Sequence, residues 1–276
     1  MESISVSTKQ LLERLEKLRT SLVTLGESDG RLQKTLANYE CQQCKDELGY
    51  LVRDDQGNEK WRICDCVEGR RQKRLFKSSN ISGEFQRVTF DNFVLDGRPE
   101  CVRSAYYAVQ HYLANFESLR GTKNNSIALL GVPGSGKTHL LIAAANALLA
   151  QGVGVLYFPW VEGSNELRDA VAKKADVQAK IDAMKNVDVL FIDDLFKGRK
   201  EVKDFQLEWL FEVVNYRYLN HLPMMISSER FIDQILSVDE GIGRRIFERS
   251  RAHKVDMQLG QDEDGVLNYS ILGASK

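Results

Sequence analysis

Short apolar runs alternate with longer amphipathic stretches along most of the chain after about residue 85. The runs predict strands, and apolar positions spaced three and four apart predict helices between them. The predicted strands are Ser126–Leu130, Val153–Phe158, Val187–Ile192 and Met224–Ser227, with a weaker one at Lys254–Leu259. The predicted helices are Val102–Phe116, Thr138–Ala150, Asn165–Met184, Asp204–Leu219 and Phe231–Leu236. This alternation favours an α/β domain with a mostly parallel sheet covered by helices.

The chain before this domain contains two segments with different residue patterns. Over residues 8–39 leucines recur at intervals of four and three, which predicts helix. This leucine seam fits either a helical hairpin packed on the rest of the chain or a pair of helices that binds a partner or a second copy. Residues 40–80 carry clustered cysteines and a basic run. We therefore divide the chain into a helical segment at 1–39, a cysteine module with a basic linker at 40–80, and an α/β domain at 81–276.

Composition narrows the class of protein. The 276 residues are 43% apolar and 28% charged, which excludes a wholly disordered chain. A net charge of -1 excludes a globally basic protein but leaves room for a local nucleic-acid-binding patch. No apolar run approaches the roughly 20 residues that cross a bilayer, and the first residues lack the apolar region of a secretory signal. We therefore expect a cytoplasmic protein without a membrane segment.

Residues 131–138 fit the phosphate-binding pattern G-x-x-x-x-G-K-[ST], between a predicted strand and a helix. Glycines leave no side chain between the backbone and a ligand, so successive N–H groups can converge on phosphate oxygens at a helix N-terminus. We expect Lys137 to reach the β- and γ-phosphates of ATP and the Thr138 hydroxyl to bind Mg²⁺. The residues expected to contact the nucleotide are Gly131, Pro133, Gly134, Ser135, Gly136, Lys137, Thr138 and His139.

Two adjacent carboxylates end the apolar strand that begins at Val187. Paired acids at a strand end repel each other, and a cation between them and the phosphates removes that objection. The strand has the form of a Walker B element. Asp193 is expected to hold Mg²⁺, and Asp194 to orient or deprotonate the attacking water.

Four cysteines, Cys41, Cys44, Cys64 and Cys66, form two close pairs with a hairpin-like sequence between them. Two such pairs can provide a tetrahedral site of four thiolates for a structural zinc ion. Two disulfides, or a redox pair, are the alternatives; the expected reducing compartment argues against the former. The basic run at residues 70–77 could bind phosphates, tether two modules, or keep a linker soluble.

These motifs together resemble the AAA+ ATPases, and more narrowly the bacterial and phage helicase loaders of the DnaC/DnaI type. The resemblance covers about residues 85–260, and the cysteine segment is similar to the zinc-bearing N-terminal region of the DnaI branch. It rests on Phe90–Phe93, Gly131–Leu140, Leu190–Leu195, Asn215–Tyr218 and Arg244–Arg251. It implies an AAA+ P-loop ATPase domain with a parallel sheet covered by helices, preceded by a helical segment and a small zinc-ribbon-like module, with no full C-terminal lid.

The same resemblance implies roles for individual residues. The strand at Met224–Ser227 would lie between the two Walker strands, and Ser228 or Ser227 would occupy the position that senses the γ-phosphate. Arg249 matches the arginine finger that reaches the neighbouring subunit, and Arg245 matches a nearby interface arginine. Hydrolysis would then depend on assembly into a ring or spiral.

The function implied is an ATP-dependent loader of a replicative DnaB-type helicase. Its N-terminal module would bind the helicase, and its ATPase domain would bind single-stranded DNA, with Lys197, Arg199 and Lys200 as candidate contacts. A transposition regulator of the IstB type is one alternative, which the cysteine module argues against. A non-hydrolysing ATP-switch adaptor is another. The sequence leaves open which helicase is bound, how many subunits assemble, whether the gene is chromosomal or phage-borne, and whether hydrolysis loads or releases the partner.

Overall fold

The computed structural model describes residues 39–173, 176–198 and 202–258. The helical segment predicted at 1–39 lies outside these ranges except for Tyr39, and so do Arg199 and Lys200. No helix within the described ranges combines the length and apolar character needed to cross a membrane. The chain divides into two compact units, residues 1–67 and 68–276, so the first ends before the basic run.

The described part of the first unit is built around an antiparallel hairpin. Its strands are β1 (Gly49–Arg53) and β2 (Glu59–Ile63), and Leu51 lies opposite Trp61 in the register. Asp54 closes the turn because its Oδ1 accepts hydrogen bonds from the backbone of Gln56 (3.0 Å) and Asn58 (2.9 Å). The hairpin predicted between the two cysteine pairs is confirmed.

The second unit is a five-stranded parallel sheet covered by helices on both faces, with strand order β4-β5-β6-β3-β7. The strands are β3 (Ile127–Gly131), β4 (Val155–Pro159), β5 (Val189–Asp193), β6 (Met224–Ser228) and β7 (Lys254–Met257). The helices are α1 (Cys66–Ser78), α2 (Glu100–Ala114), α3 (Phe116–Leu119), α4 (Lys137–Ala150), α5 (Trp160–Ala172), α6 (Val177–Asn186), α7 (Asp204–Leu219), α8 (Ile232–Val238) and α9 (Glu240–Ser250), and Phe85–Arg87 forms a 3₁₀ turn. The predicted strands are confirmed. Strand β6 lies between β3, which leads into the phosphate loop, and β5, which ends in the paired acids, as the resemblance implied.

Two apolar layers, one on each face, bury the sheet. Residues of α2 and α4 form the first layer, together with Phe93 and alternate side chains of the strands. Residues of α5, α6, α7, α8 and α9 form the second. Because both faces are covered, the strands are almost continuously apolar, which is the pattern that made them recognisable.

The prediction of one helix over Asn165–Met184 is wrong. The structure has two helices, and Asp176 begins the second by accepting a hydrogen bond from the Ala179 backbone at 3.0 Å. Asp at an N-cap satisfies an N–H group that would otherwise lack a partner, so it favours a helix start. The apolar periodicity runs through the break because Leu167 and Ile181 pack into the same layer.

The basic run at residues 70–77 belongs to helix α1 rather than to a linker. Arg71 and Gln72 donate hydrogen bonds to the carbonyls of Gly152 (3.2 Å) and Ala150 (2.8 Å), at and just after the C-terminal end of α4. Leu75 packs against the first apolar layer. Donors at the end of a helix satisfy carbonyls that have no partner within it.

Arg217 on α7 is fully buried and holds the starts of two strands in place. Its guanidinium donates to five backbone carbonyls, those of Met184, Lys185, Val187, Asp188 and Pro223, at 2.6–3.1 Å. Burial lowers the pKa of Arg217 to about 9. The charge is therefore tolerated only because the carbonyls replace water around it.

We expect Arg217→Met to lower the free energy of unfolding by about 3 kcal/mol or more, because it leaves several buried carbonyls without a donor. Urea unfolding measures the change. Arg251→Met, which alters an exposed arginine, is the control and should change stability little. Equal stability of the two variants would contradict the role given to Arg217.

Candidate nucleotide site and cysteine cluster

The loop between β3 and α4 has the backbone conformation of a phosphate cradle. Gly131, Gly134 and Gly136 have φ values of 123°, 72° and 91°, which only glycine adopts readily. A Cβ on Gly136 would lie 2.8 Å from Cε2 of Phe93, and one on Gly131 would lie 2.4 Å from the carbonyl oxygen of Met257. The φ angles therefore require glycine at all three positions, and close contacts require it at Gly131 and Gly136 as well, independently of any ligand.

Lys137 begins α4 and points back into this loop. Its Nζ donates to the carbonyls of Gly131 (2.9 Å) and Val132 (2.7 Å), and it lies 3.4 Å from Oγ of Ser135. Burial lowers the pKa of Lys137, although Asp194 and Glu229 act against this. An ammonium group held by neutral carbonyls is available to a stronger acceptor such as a phosphate.

Asp193 is buried where four elements of the unit meet. Its Oδ1 accepts hydrogen bonds from Thr138 (2.8 Å) and Ser227, and its Oδ2 accepts one from Tyr157 (3.0 Å). Burial raises the pKa of Asp193 despite these donors. Neighbouring oxygens in octahedral Mg²⁺ coordination lie about 2.9 Å apart, given Mg–O distances near 2.0–2.1 Å. The Thr138–Asp193 separation therefore fits a magnesium site.

The two adjacent acids face different surroundings. Asp194 has a φ of 56°, and its carboxylate lines the cavity above the loop while Asp193 is 4% exposed. The Oδ2 atom of Asp194 accepts a hydrogen bond from Nζ of Lys197 at 2.8 Å. One acid is thus placed for a metal ion and the other for a group inside the cavity.

The polar side chain that follows β6 into the cavity is Glu229, not Ser228. The Ser228 hydroxyl donates to the Leu195 carbonyl (2.7 Å) and accepts from the Arg230 backbone (3.1 Å). The Ser227 hydroxyl lies between Asp193 and the backbone N–H of Asp194. Ser227 therefore positions the two acids, Ser228 holds the backbone that follows them, and neither serine lines the cavity.

Lys197 also lines this cavity, although the sequence placed it among the DNA contacts. It lies 3.0 Å from Oε1 of Glu229, in addition to its contact with Asp194. Part of the lining of the cavity is apolar and is formed by Phe85, Val88 and Ile142. A cavity lined by both charged and apolar side chains suits a nucleotide, whose phosphates and base differ in the same way.

His139 lies at the edge of the cavity and contacts the segment before α2. Its Nε2 lies 3.1 Å from Oδ1 of Asn92 and 3.2 Å from the Thr89 carbonyl, and its ring packs on Phe93. Burial lowers the pKa of His139, so the neutral ring is favoured. These contacts connect the residues that carry the family resemblance near position 90 to the phosphate loop.

The predicted finger, Arg249, is buried within its own chain. It is 4% exposed, its guanidinium carbon lies 4.4 Å from the centre of the Tyr218 ring, and it contacts the Tyr218 carbonyl and Nδ1 of His221 (3.1 Å). Arg245 contacts Oδ1 of Asn215 (2.9 Å) and lies over the Phe211 ring. Neither arginine lines the cavity of its own chain.

The four predicted cysteine ligands come together in the first unit. Their sulfur atoms all lie within 4.8 Å of one another, with Cys41–Cys64 at 3.7 Å and Cys44–Cys66 at 3.4 Å. A tetrahedral site with Zn–S bonds of about 2.3 Å places its sulfurs about 3.8 Å apart. The spacing therefore fits a zinc ion, and no disulfide joins these four cysteines.

Comparison with known proteins agrees with this geometry. Residues 103–259 match the family model described as IstB-like ATP binding protein. The chain belongs to this IstB-like family. It is 43% identical over 269 residues to the phage-like element PBSX protein XkdC of Bacillus subtilis (strain 168), covering 96% of this chain and 97% of that protein.

Two solved structures share the fold of the IstB-like domain. The crystal structure of the DnaI has a TM-score of 0.54 and 25% identity, covering 65% of this chain and 95% of that chain. The DnaC helicase loader has a TM-score of 0.52 and 18% identity, covering 64% and 100%. The unit is thus an ATP-binding AAA+ domain of the DnaC/DnaI kind, as the sequence predicted.

Sequence reasoning missed several residues of the IstB-like site. Tyr157 gave no signal because it lies inside an apolar strand. Glu229 gave only a weak signal in the sequence, because it is simply a charged residue that directly follows a strand. Phe85 lies outside the motifs altogether. Adjacent strand ends could have indicated Glu229 once the strand order was known.

We expect Gly136→Ala to weaken nucleotide binding by the IstB-like domain by tenfold or more. The added Cβ strains a residue at φ 91° and displaces Phe93, at a cost of about 1–3 kcal/mol. Titration with a fluorescent ATP analogue measures this. Gly121→Ala is the control, because no atom lies within 4 Å of its Cβ position. An equal loss in both variants would contradict the argument.

Proposed function

We propose that this protein is an ATPase that loads a replicative DnaB-type helicase onto single-stranded DNA. The observation that carries the proposal is the joining, in one chain, of an ATP-binding AAA+ domain of the DnaC/DnaI kind and a four-cysteine module with an exposed apolar face. The first supports use of ATP, and the second supports a protein partner.

The proposed chemistry follows from the cavity. Lys137 leaves its carbonyl partners for the β- and γ-phosphates, and the oxygens of Thr138 and Asp193 hold Mg²⁺, which supplies positive charge against the phosphates. Asp194 accepts the proton of the attacking water. The geometry that supports this is the separation of the two acids, one buried beside Thr138 and one lining the cavity.

We propose that Arg249 and Arg245 act between protomers of a ring or spiral. Arg249 must then exchange its own-chain contacts at Tyr218 and His221 for a phosphate of the neighbouring protomer. The charged phosphate is a stronger acceptor than a carbonyl or a ring, which favours the exchange once the interface forms. Turnover per chain then depends on protein concentration.

The hairpin of the first unit supports the docking role. Leu51, Trp61 and Ile63 share one face of the hairpin and are 59%, 57% and 68% exposed. Acidic residues of 39–67 outnumber basic ones: Glu40, Asp46, Glu47, Asp54, Asp55, Glu59 and Asp65 against Lys45, Arg53, Lys60 and Arg62. An exposed apolar face on an acidic module favours a protein partner with an apolar patch and a basic rim over nucleic acid. We assign this face to the helicase.

We propose that the ATPase domain binds single-stranded DNA through Arg199 and Lys200. These two basic residues come shortly after Lys197 in the sequence. Lys197 is not retained as a DNA contact, because it lies between two carboxylates of the nucleotide site. The alternative of a transposition regulator is favoured by the family model, but that match covers residues 103–259 and therefore none of the cysteine module.

A loading assay tests the function. We expect the protein with ATP to stimulate unwinding by the host replicative helicase from closed circular single-stranded DNA, since a ring-shaped helicase cannot thread onto a circle unaided. Ile63→Ser should weaken helicase binding by about tenfold or more and Lys137→Ala should abolish stimulation. Val52→Ser, on the opposite face of the hairpin, should leave binding unchanged. A protein that stimulates no loading but binds a transposase would overturn the proposal in favour of the alternative.

Zinc content tests the cysteine module. We expect about one zinc ion per chain by elemental analysis, and a loss of at least nine tenths in Cys44→Ser because a closed four-thiolate site tolerates no missing ligand. Cys101→Ser should keep the zinc, since Cys101 lies outside the cluster. Zinc-free protein with two disulfides among these cysteines would contradict the assignment.

A further inference from the structure

Lys197 lies between two carboxylates that both line the nucleotide cavity. Its Nζ is 2.8 Å from Oδ2 of Asp194 and 3.0 Å from Oε1 of Glu229. The Lys197 side chain is 42% exposed, so a ligand in the cavity can reach it. The pair Lys197 and Glu229 has no part in the chemistry derived above.

The conformation of the backbone between Asp194 and Lys197 places the Lys197 side chain next to the Asp194 carboxylate. Asp194 and Phe196 have φ values of 56° and 62°, and the Lys197 backbone donates to the Asp194 carbonyl at 2.9 Å. Left-handed backbone is uncommon for residues other than glycine, most of all for a bulky one such as Phe196, and it persists where its surroundings enforce it.

The surroundings of this turn do enforce it. The Leu195 backbone N–H donates to the Ser227 carbonyl at 2.9 Å, and its carbonyl accepts from the Ser228 hydroxyl at 2.7 Å. Phe196 is 1% exposed and packs edge-on against Trp160. The end of β6 therefore fixes both Glu229 and the turn that carries Lys197.

The charge of Glu229 needs an explanation in a phosphate-binding cavity. A carboxylate there repels a triphosphate, and Asp194 adds a second negative charge. Burial works against a charged Lys197, but the hydrogen bonds that Lys197 donates to Asp194 and Glu229 outweigh it and raise the pKa of Lys197. Lys197 is therefore a cation beside Lys137 and Asp194, where the terminal phosphate of ATP must lie for Asp194 to act.

We propose that Lys197 is a ligand of the ATP γ-phosphate from the protomer's own chain, anchored by Glu229, and that its ion pair with Asp194 occupies that carboxylate until a triphosphate binds. The inference rests on the proposed ATPase function. With ADP, Lys197 stays on Asp194. With ATP, Nζ moves to the γ-phosphate and keeps Glu229.

The released Asp194 then serves hydrolysis. The water oxygen bonds to the γ-phosphorus, the bond from that phosphorus to the β–γ bridging oxygen breaks, and its electron pair stays on ADP. The water proton passes to Oδ2 of Asp194. Lys197 transfers no proton; its charge balances the negative charge of the phosphate oxygens.

Affinity for nucleotide, measured without turnover, tests the proposal. The probes are ADP and a non-hydrolysable ATP analogue, each with Mg²⁺, titrated by calorimetry into the full chain. We expect Lys197→Met to weaken analogue binding about tenfold, the size of one charge-assisted hydrogen bond, and ADP binding less than threefold. Lys197→Arg should retain most of the preference for the analogue.

Lys180→Met is the matched control, because Lys180 forms an ion pair of the same 3.0 Å length with Glu166 outside the nucleotide cavity. It should leave both affinities unchanged. Melting temperatures show that each variant is folded. If Lys197→Met and Lys180→Met give the same ratio of analogue to ADP affinity, the proposal is wrong.

The double variant Lys197→Met with Glu229→Gln separates a phosphate contact from mere neutralisation of Glu229. If Lys197 contacts the phosphate, the preference for the analogue stays at least fivefold below that of the natural protein. Full recovery would show that Lys197 only neutralises Glu229, and would overturn the inference while leaving the ATPase function intact. Failure of the natural protein to bind either nucleotide would overturn both.

Discussion

The buried carboxylate of Asp193 is the point on which the ATP-binding domain depends. It accepts hydrogen bonds from Thr138, Tyr157 and Ser227, which lie on α4, β4 and β6. A charge so buried is tolerated only with several donors or a cation nearby, so these elements must meet there for the fold to be stable. Burial still raises the pKa of Asp193, so an isolated negative charge is disfavoured there. The contacts that stabilise this edge of the sheet would therefore also set the affinity for the proposed Mg²⁺.

Parallel topology explains why the chemistry gathers at that edge. The carboxyl ends of β3, β5 and β6 are neighbours in the sheet, so the phosphate loop, the paired acids and Glu229 emerge together although they are far apart in sequence. Left-handed backbone at Asp194 then sends the second acid into the cavity while the first stays in the interior. The adjacent residues Asp193 and Asp194 thus lie in different surroundings and have different proposed roles.

The parts that sequence reasoning recovered are those with local signals. Strands buried on both faces form apolar runs, the phosphate loop follows from glycines that φ and close contacts require, and the cysteine pairs follow from spacing. What it missed depends on contacts between distant residues. Lys197 looked like part of a basic run because its partner, Glu229, lies 32 residues away and is brought near only by the pairing of β5 with β6. The helix predicted over Asn165–Met184 failed for the related reason that two helices sharing one apolar layer keep one periodicity.

Lys137 and Arg249 are held alike in this structure, although they lie on different elements. Each is a buried cation whose hydrogen bonds go to neutral acceptors of its own chain: loop carbonyls for Lys137, and the Tyr218 carbonyl and His221 for Arg249. Lys197 differs, because its acceptors are carboxylates. A phosphate would therefore displace the partners of Lys137 easily, but would have to compete with carboxylates for Lys197. That difference in acceptors would make Lys197 depend on the extra charge of a triphosphate, whereas Lys137, which reaches the β-phosphate as well, would also hold ADP. In the proposed assembly, contact between protomers would release Arg249. Lys137 would then respond to any bound nucleotide, Lys197 to the γ-phosphate, and Arg249 to the neighbouring protomer.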